Sequence, residues 1–486
     1  MTAAARHGRA SRILLLLALA AAAGCTVNPV TGERELSLIS EQQAISMGKE
    51  SAAQVEQTVG LVPDQGLQSY VASVGHKLAA DTERPDLPWE FHVVDDPSPN
   101  AFALPGGFIF VTRGLIDLMT SEAELAGVLG HEIGHVTAKH SVVQLSRQQI
   151  AQLGLGLGAV LSPQIAQLSQ LANQGLDLLF LKYSRDDERQ ADALGFKYMV
   201  NEGYDPKQMT DVFQALEQSS KLAGASPLPG WLSSHPSDPE RIASAKARVA
   251  ALPEAKQNGN VGRDAYVPHL DGLVYGKDPR EGFFRGDWFY QPELSLRIAV
   301  PSDWQRQNLK QSVEAVSPKQ DAAARLAISK AATPEAAVQA FLAQQGVRGL
   351  ASQRQNLDGN PAIVTEFQAA IQNGTVAGYV AYISHGQATY ELLAYAPSAA
   401  FDQQQLLLQR IVTSFATVRD KDILNVRAQH IGIVKLPSAM SLEEFARRYP
   451  SSIKLDELAL LNQMNDTKAP IPAGTLLKRV TGGPAG

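Results

Sequence analysis

The sequence predicts a multidomain protein, in which a mainly helical α+β domain with a small sheet is followed by an α+β domain and a small βααβ unit. The chain has 486 residues, too many for one ordinary globular core. Helical periodicity and two strand-like runs fill the first half, and the composition shifts at Pro253 to Gly, Asn, Asp and Pro. Strand-like runs then mix with two helical ones over residues 286–418.

The composition is that of a folded protein and argues against nucleic acid as a partner. Hydrophobic residues make up 44% and charged residues 19% of the chain, as in soluble globular proteins. The formal net charge is −6, and no domain-sized basic surplus is present. We therefore expect no nucleic-acid binding.

The first 24 residues have the features of an export signal. Three arginines precede an unbroken apolar run, residues 13–23, which is too short to span a bilayer comfortably. The run ends in Ala22-Ala23-Gly24-Cys25, which resembles a lipobox, although Ala22 stands where that pattern usually has Leu. The resemblance implies cleavage before Cys25 and lipidation of its thiol. A processed signal peptide with an incidental cysteine is the alternative.

Cys25 is the only cysteine of the chain, so an intramolecular disulfide is impossible. An odd cysteine in an exported protein needs an explanation, and lipidation supplies one. Thr26 follows it, and in similar lipoproteins a residue other than Asp there accompanies outer-membrane delivery. We expect a periplasmic protein that is lipid-anchored at the inner leaflet of the outer membrane.

The periodicity of the first domain predicts helices and two strands. Ser121 and Glu124 form a capping box at the start of a helix expected to run to about His140. Aromatic and β-branched residues predict the strands. The predicted helical stretches are 41–82, 121–140, a hairpin over 141–180, 185–201, 206–220 and 238–250, and the strands are 89–94 and 107–112.

The domain boundaries follow from these changes in pattern. The stretch after Pro253 has little periodicity and is typical of a linker or a long surface segment. We predict a signal peptide (1–24), a first domain (25–252), a linker (253–285), an α+β accessory domain (286–420) and a terminal βααβ unit (428–481).

An HExxH pattern, His131-Glu132-Ile133-Gly134-His135, lies late in the capped helix. Positions i and i+4 share one helix face, so His131 and His135 can reach one metal ion. Glu132 is close enough to take a proton from water without binding the ion. We therefore predict His131 and His135 as zinc ligands and Glu132 as the general base.

The third ligand decides the class of an HExxH protein. A metzincin needs a histidine ten residues after the first, and residue 141 is Ser, which excludes that class. His140 is nearby, but five residues beyond His135 amounts to about 140° around a helix. We interpret His140 as a solvent-exposed residue near the helix end.

A gluzincin takes its third ligand, a Glu, from a later helix. Glu188 and Asp192 lie at i and i+4 in the predicted helix 185–201 and share one face. We predict that Glu188 binds the metal and that Asp192 orients a ligand histidine through its other ring nitrogen. A charged, solvated helix face is the alternative for this string.

Several motifs in the same order resemble a known family. HEIGH, then ERQAD (188–192), then SSHPSDPER (233–241) are similar to the HtpX and CAAX-prenyl-protease family of gluzincin zinc metallopeptidases. NPVTGERELSLIS and NAFALPGGFIFVTRGLI also resemble its soluble periplasmic BepA-type branch. The resemblance covers roughly residues 26–250. It implies a zincin-type peptidase domain, one zinc ion per chain and metalloendopeptidase activity.

The resemblance also implies roles for further residues. His235 is similar to a loop histidine that caps the zinc or stabilises the oxyanion, with an ordinary loop histidine as the alternative, and Arg241 matches an arginine near the active site. Substrate peptides would add by β-augmentation along an edge strand that contains Asn100, Ala101, Phe102 and Ala103.

The regions after the first domain carry looser resemblances. Residues 286–418 look like the PsbP-like modules that follow some peptidases of this branch, and they show no catalytic constellation. Residues 429–480 resemble a LysM unit, a module that binds peptidoglycan glycans. Pro437-Ser438-Ala439 replaces the usual Gly-Asp-Thr before its first helix, so a degenerate interaction fold is the alternative.

The sequence thus predicts a zinc endopeptidase of the cell envelope that acts on misfolded or unassembled envelope proteins. Its expected partners are polypeptide substrates, the membrane through the lipid anchor, and peptidoglycan or envelope-assembly proteins. A chaperone or assembly scaffold at the outer membrane and a peptidoglycan-binding factor are the alternatives.

Overall fold

The structure is a computed structural model, which describes residues 25–154, 182–222, 235, 239–371 and 374–483 of the chain. The predicted signal peptide and much of the predicted helical hairpin lie outside the described residues. Within these ranges, no helix is both long enough and apolar enough to cross a lipid bilayer.

The first part of the chain packs helices around a small sheet. Its strands are β1 (Cys25–Val27), β2 (Arg34–Leu36), β3 (Glu90–Val94), β4 (Ala101–Leu104) and β5 (Phe108–Thr112). Its helices are α1 (Glu41–Thr58), α2 (Gln65–Ala79), α3 (Arg113–Leu118), α4 (Glu122–Thr137), α5 (His140–Gly154), α6 (Arg185–Asn201), α7 (Gln208–Leu222) and α8 (Pro239–Ala251). The sheet order is β3-β5-β4, with β3 parallel and β4 antiparallel to β5. A separate antiparallel ribbon joins β1 and β2.

Short polar side chains begin the two helices that carry the candidate site. Ser121 accepts a hydrogen bond from the Glu124 backbone N–H at the start of α4. The Glu124 carboxylate accepts from the Thr120 backbone N–H instead of the Ser121 one, so only half of the predicted capping box forms. At α6, Ser184 and Asp187 form a complete box. Caps of this kind contribute about 1 kcal/mol each and fix where the helices begin.

Helices α4 and α6 lie almost in backbone contact because glycines line their crossing. A Cβ on Gly195 would lie 2.7 Å from the His131 backbone nitrogen, and a Cβ on Gly134 would lie 3.0 Å from the Ala191 carbonyl oxygen. This close approach brings the buried face of α6 against the HExxH face of α4.

The stretch predicted as a linker is packed into the first core in its middle part. Tyr266, Val267 and Leu270, in α9 (Arg263–Tyr266) and the 3₁₀ turn after it, are fully buried in the same cluster as α4 and the sheet. The Tyr266 hydroxyl donates to the Ile116 carbonyl oxygen at 2.7 Å. The linker interpretation is therefore wrong here, because a few isolated anchors give no periodic signal.

The second part is rich in sheet and confirms the α+β expectation. Its strands are β7 (Phe283–Arg285), β8 (Trp288–Gln291), β9 (Leu296–Ala299), β10 (Gln305–Asn308), β11 (Ser312–Val316), β12 (Ala323–Ile328), β13 (Val347–Leu357), β14 (Asn360–Ile371), β15 (Gly374–His385), β16 (Ala388–Pro397) and β17 (Ala416–Thr417). They form an antiparallel seven-stranded sheet, β10-β11-β12-β16-β15-β14-β13, and a four-stranded sheet, β17-β9-β8-β7. Helices α10 (Pro334–Leu342) and α11 (Ser398–Val412) contribute to two separate apolar clusters, each shared with the larger sheet.

The chain ends in the predicted βααβ order. After α12 (Lys421–Leu424) come β18 (Gln429–Lys435), α13 (Leu442–Arg448), α14 (Leu455–Leu461) and β19 (Leu476–Gly482). β18 pairs antiparallel with β19 and, on its other side, with β6 (Val274–Tyr275). The fully buried Lys478 of β19 donates from Nζ to the carbonyl oxygens of Asp117 and Met119, at 2.6 and 2.8 Å. The terminal unit therefore packs onto the first domain beside the start of α4.

Candidate metal centre

Helix α4 places both HExxH histidines and the intervening glutamate in the protein interior. His131, Glu132 and His135 are each at most 1% exposed. The two Nε2 atoms lie 3.0 Å apart, so both imidazoles point to one place, as the i, i+4 spacing predicts.

Helix α6 brings Glu188 to the same place. Its carboxylate oxygens lie 3.6 Å from His131 Nε2 and 3.5 Å from His135 Nε2. The predicted helix 185–201 has the bounds that the structure shows. The alternative of a solvated face is wrong for Glu188, which is 2% exposed.

His235 completes a cluster of four side chains that could hold a metal ion. Its Nδ1 lies 2.8 Å from Glu188 Oε1 and 3.2 Å from His131 Nε2, and its Nε2 lies 3.6 Å from Glu132 Oε1. One potential ligand atom from each of His131, His135, Glu188 and His235 lies within 4.8 Å of all the others. Two or three imidazoles and one carboxylate are a donor set suited to a divalent transition-metal ion.

A charged pair holds the far side of His131. Its Nδ1 lies 2.9 Å from Asp192 Oδ1. Arg241 donates to both Asp192 oxygens at 2.8 and 2.7 Å, and its Nη1 lies 3.0 Å from Glu188 Oε2. The structure thus brings both predicted supporting residues next to the cluster.

His140 also belongs to this site, contrary to the sequence interpretation. α4 ends at Thr137, Lys139 adopts a left-handed conformation with φ of 61°, and α5 begins at His140. The reversal buries His140 and leaves its Nδ1 3.0 Å from His135 Nδ1. A rotation angle along one continuous helix does not apply here, because the left-handed residue Lys139 separates two helices.

Tyr183, which precedes the α6 cap, is a further neighbour that sequence reasoning did not assign to the site. Its ring stacks on His135 with centroids 4.0 Å apart and an interplanar angle of 30°. Burial raises the pKa of its hydroxyl, which therefore stays protonated at neutral pH. No local sequence signal marks this stacking.

Burial and charge set the protonation states of the candidate ligands. Burial lowers the pKa of His135 well below its ordinary value, which favours the neutral imidazole that can bind a metal. Burial alone would raise the pKa of Glu188, but the charge of His235 and the hydrogen bond that His235 donates outweigh burial and keep that pKa well below its usual range. Glu188 is therefore ionised.

The predicted substrate strand lies at an edge of the small sheet. Ala101, Phe102 and Ala103 are in β4, which pairs with β5 on one side only among the described residues, and Asn100 precedes it. The Asn100 backbone N–H donates to Thr112 Oγ1 at 2.8 Å, which fixes the entry to the strand. Cys25, the predicted lipidation site, opens β1, and its side chain lies outside what the structure describes.

An HExxH helix whose two histidines meet a glutamate from a later helix is an arrangement of side chains found in zinc metallopeptidases. Residues 65–249 match the family model described as Peptidase family M48. These residues are therefore similar to peptidase family M48, and the predicted family resemblance is confirmed. The family and the buried cluster together indicate a bound metal ion.

Curated relatives match part of the chain. A beta-barrel assembly-enhancing protease of Yersinia pestis is 30% identical over 233 residues, 46% of this chain and 47% of that protein. The mitochondrial metalloendopeptidase OMA1 of Schizosaccharomyces pombe is 34% identical over 174 residues, 36% of this chain and 50% of that protein. The chain spans about half the length of the curated relatives it matches.

Among solved structures, cyanobacterial PsbP of Synechocystis aligns with 27% of this chain and 91% of its own, at 12% identity and a TM-score of 0.24. A similarity this low carries no argument.

Proposed function

We propose that the protein is a zinc-dependent endopeptidase of the cell envelope that hydrolyses peptide bonds of misfolded or unassembled envelope proteins. The observation that carries the proposal is the convergence of His131, His135 and Glu188 beside the buried Glu132. The family match to residues 65–249 supports the reaction class.

The donor set fits zinc. Zinc favours imidazole nitrogens and carboxylate oxygens in a tetrahedral arrangement, and catalytic zinc sites use three protein ligands with one position open. His131, His135 and Glu188 would be the three ligands, with one ion per chain. When bound, zinc supplies a Lewis acid that polarises a peptide carbonyl and acidifies water.

The chain's own groups would carry the proton and the developing charge. Glu132 would accept a proton from the attacking water and pass it to the leaving amine, the role of a general base. His235 would donate to the oxyanion, since its Nε2 lies on the side of Glu132, 3.6 Å from Glu132 Oε1. Asp192 and Arg241 would hold His131 from behind.

His235 would also gate the site. In the structure its Nδ1 occupies a place among the candidate ligand atoms, which gives a closed set of four. A closed set is typical of structural zinc sites, so substrate access would require His235 to leave that place.

Substrate would bind as an added strand along β4. An edge strand offers unpaired backbone groups to an extended peptide, and this recognition does not depend on a particular side-chain sequence. That property suits a protease for unfolded segments.

The cellular setting is proposed from the sequence and the relatives. Cys25 would carry the lipid anchor and hold the protein in the periplasm, at the inner leaflet of the outer membrane. The Yersinia pestis relative is named for enhancing beta-barrel assembly. By analogy, unassembled outer-membrane polypeptides would be substrates here.

The later regions would serve binding. Residues 286–420 would form a PsbP-like module, and residues 428–481 a LysM-like unit, for which the βααβ order is the supporting observation. Peptidoglycan or an envelope-assembly protein would be the partner of the terminal unit.

The test is the variant Glu132→Gln, which keeps the shape of the side chain and removes the base. Purified protein with zinc should cleave an unfolded casein-type substrate, and the variant should bind zinc equally and cleave nothing measurable. Glu90→Gln, on the exposed start of β3, is the matched control and should behave as the parent protein. Cleavage retained in Glu132→Gln would refute the proposed mechanism.

A deletion strain separates the protease from the scaffold alternative. A scaffold would complement the deletion when it carries Glu132→Gln, whereas a protease would not. Failure of purified sacculi to capture the protein would remove the peptidoglycan-binding reading.

A further inference from the structure

His135 has an imidazole behind it instead of the usual oxygen acceptor. A metal-binding histidine commonly donates its second ring N–H to a carboxylate, a backbone carbonyl or water, which fixes the tautomer and the ring orientation. His131 follows this pattern through Asp192. For His135, the partner of Nδ1 within hydrogen-bond distance among the described residues is His140 Nδ1, at 3.0 Å.

His140 is held in turn by α6. Its Nε2 lies 2.8 Å from Gln190 Oε1, while the nearest carboxylate oxygen of Asp187 is farther, at 3.8 Å. Gln190 follows Glu188 by two residues on the same helix. Helix α6 therefore supplies both the carboxylate in front of His135 and the amide behind His140.

The positions of the protons follow from donors and acceptors. The contact between two Nδ1 atoms needs one N–H and one bare nitrogen. Gln190 Oε1 can only accept, so His140 carries its proton on Nε2 and leaves Nδ1 bare. His135 must then donate from Nδ1, which leaves its Nε2 bare and facing the cluster, 3.0 Å from His131 Nε2.

A hydrogen bond donated in the opposite direction, from His140 to His135, would prevent His135 from binding a metal ion. If His140 carried its proton on Nδ1, it would donate a hydrogen bond to His135 Nδ1. The neutral His135 would then carry its own proton on Nε2. A protonated Nε2 cannot bind a metal ion. The acceptor at Gln190 thus selects the metal-competent tautomer two hydrogen bonds away.

We propose that His140 and Gln190 are positioning residues, which act in series to set the tautomer and orientation of His135 for metal binding. This inference rests on the proposed metal site, and its readout is metal affinity, so it can fail while the proteolytic function stands. The His140 and Gln190 side chains behind His135 are uncharged, unlike the Asp192–Arg241 pair behind His131.

The first test measures zinc affinity by competition with a chromophoric chelator. His140→Ala should lower the affinity about 10–100-fold, the usual effect of losing a partner of a metal ligand. His140→Asn, whose amide oxygen can accept from His135, should restore most of it. His92→Ala, which removes a histidine on β3, should change nothing.

The second test changes the residue at position 190 from a hydrogen-bond acceptor for His140 Nε2 to a donor. Gln190→Glu keeps an acceptor and should bind zinc as tightly as the parent protein or more tightly. Gln190→Lys offers only donors, favours the wrong tautomer of His140, and should weaken binding more than Gln190→Met, which offers neither. A purely structural role for Gln190 predicts no such order.

Cobalt substitution supplies a spectroscopic readout. Co²⁺ bound to the parent protein should give visible bands of a low-coordinate N/O site, and His140→Ala should shift them while His140→Asn should not. Parent-like zinc affinity and cobalt bands in a folded His140→Ala protein would overturn the proposal, as would equal affinities for Gln190→Glu and Gln190→Lys.

Discussion

His235 shares a buried hydrogen bond with Glu188, with 2.8 Å between Nδ1 and Oε1. The carboxylate that would bind the metal is therefore already engaged by a side chain from outside α4 and α6. His235 is itself 1% exposed, which is the basis of the proposal that it must move before a substrate can reach the cluster.

Replacement of His235 separates its two proposed roles. We expect His235→Ala to weaken zinc binding and to raise the cleavage rate of an unfolded substrate, because the fourth place in the cluster becomes open. Chelator competition and a fluorescent casein assay measure the two effects, with His269→Ala, which removes a histidine that is not in the cluster, as a control. A fall in kcat with unchanged zinc affinity would instead favour the oxyanion role alone.

The crossing of α4 and α6 depends on Gly195. We expect Gly195→Ala to destabilise the protein by about 1–3 kcal/mol, the usual cost of forcing a methyl group into a packed interface, and to lower zinc content. A Cβ there would lie 2.7 Å from the His131 backbone nitrogen, so the helices must separate and Glu188 must move away. Denaturant unfolding and metal analysis provide the measurements.

The matched control is Gly66→Ala on the exposed start of α2, where a Cβ would meet only the Asp64 side chain, at 3.1 Å, and stability should change little. If Gly195→Ala matched this control in both stability and zinc content, the close crossing would not be needed for the site.

Asp192 should contribute to metal affinity through His131. We expect Asp192→Ala to lower zinc affinity about 10–100-fold, since His131 loses the carboxylate at its Nδ1 and Arg241 loses one of its two carboxylate contacts. Asp192→Asn keeps an acceptor oxygen for His131 and should lower the zinc affinity less than Asp192→Ala does. Isothermal titration with zinc gives both values, and equal affinities for the parent and alanine proteins would contradict the role.

The sequence predicted those parts of the site that depend on local spacing. The i, i+4 pair of α4 and the helix of Glu188 and Asp192 have a periodic signal, and the structure brings their side chains together. His140 could not be placed, because the left-handed residue Lys139 that turns it back has no sequence signature.

Long-range packing was equally hidden from the sequence. The strand β10, with the sequence QRQN, lacks the apolar alternation that marks a strand. Tyr266 and Leu270 read as part of a linker because their burial depends on a core formed elsewhere in the chain. Lys478 lies in a strand whose contact with α3 joins residues more than 350 positions apart.

Lys478 should make stability depend on pH above neutrality. Burial lowers the pKa of its amine from 10.5 to about 7, with Arg263 acting in the same direction and the carboxyls of Glu124 and Asp117 opposing. Between pH 7 and pH 10.5 the amine of the unfolded chain holds a proton that the amine of the folded protein has lost. The free energy of unfolding therefore rises with pH in this range. Below about pH 7 the amine is protonated in both the folded and the unfolded state, so it no longer makes the free energy of unfolding depend on pH.

The variant Lys478→Met removes the titrating amine and keeps an unbranched chain in the same place. We expect the free energy of unfolding of the parent protein, minus that of Lys478→Met, to increase steadily from pH 7 to 10. Loss of the amine also raises the pKa of Asp117 and Glu124, which the Lys478 charge lowers, and this change adds to the difference in the same direction. Urea unfolding at several pH values measures it, and Lys468→Met on the exposed surface should give a flat difference. A flat difference for Lys478→Met as well would mean that the amine keeps its proton inside the fold, balanced by Asp117 and Glu124.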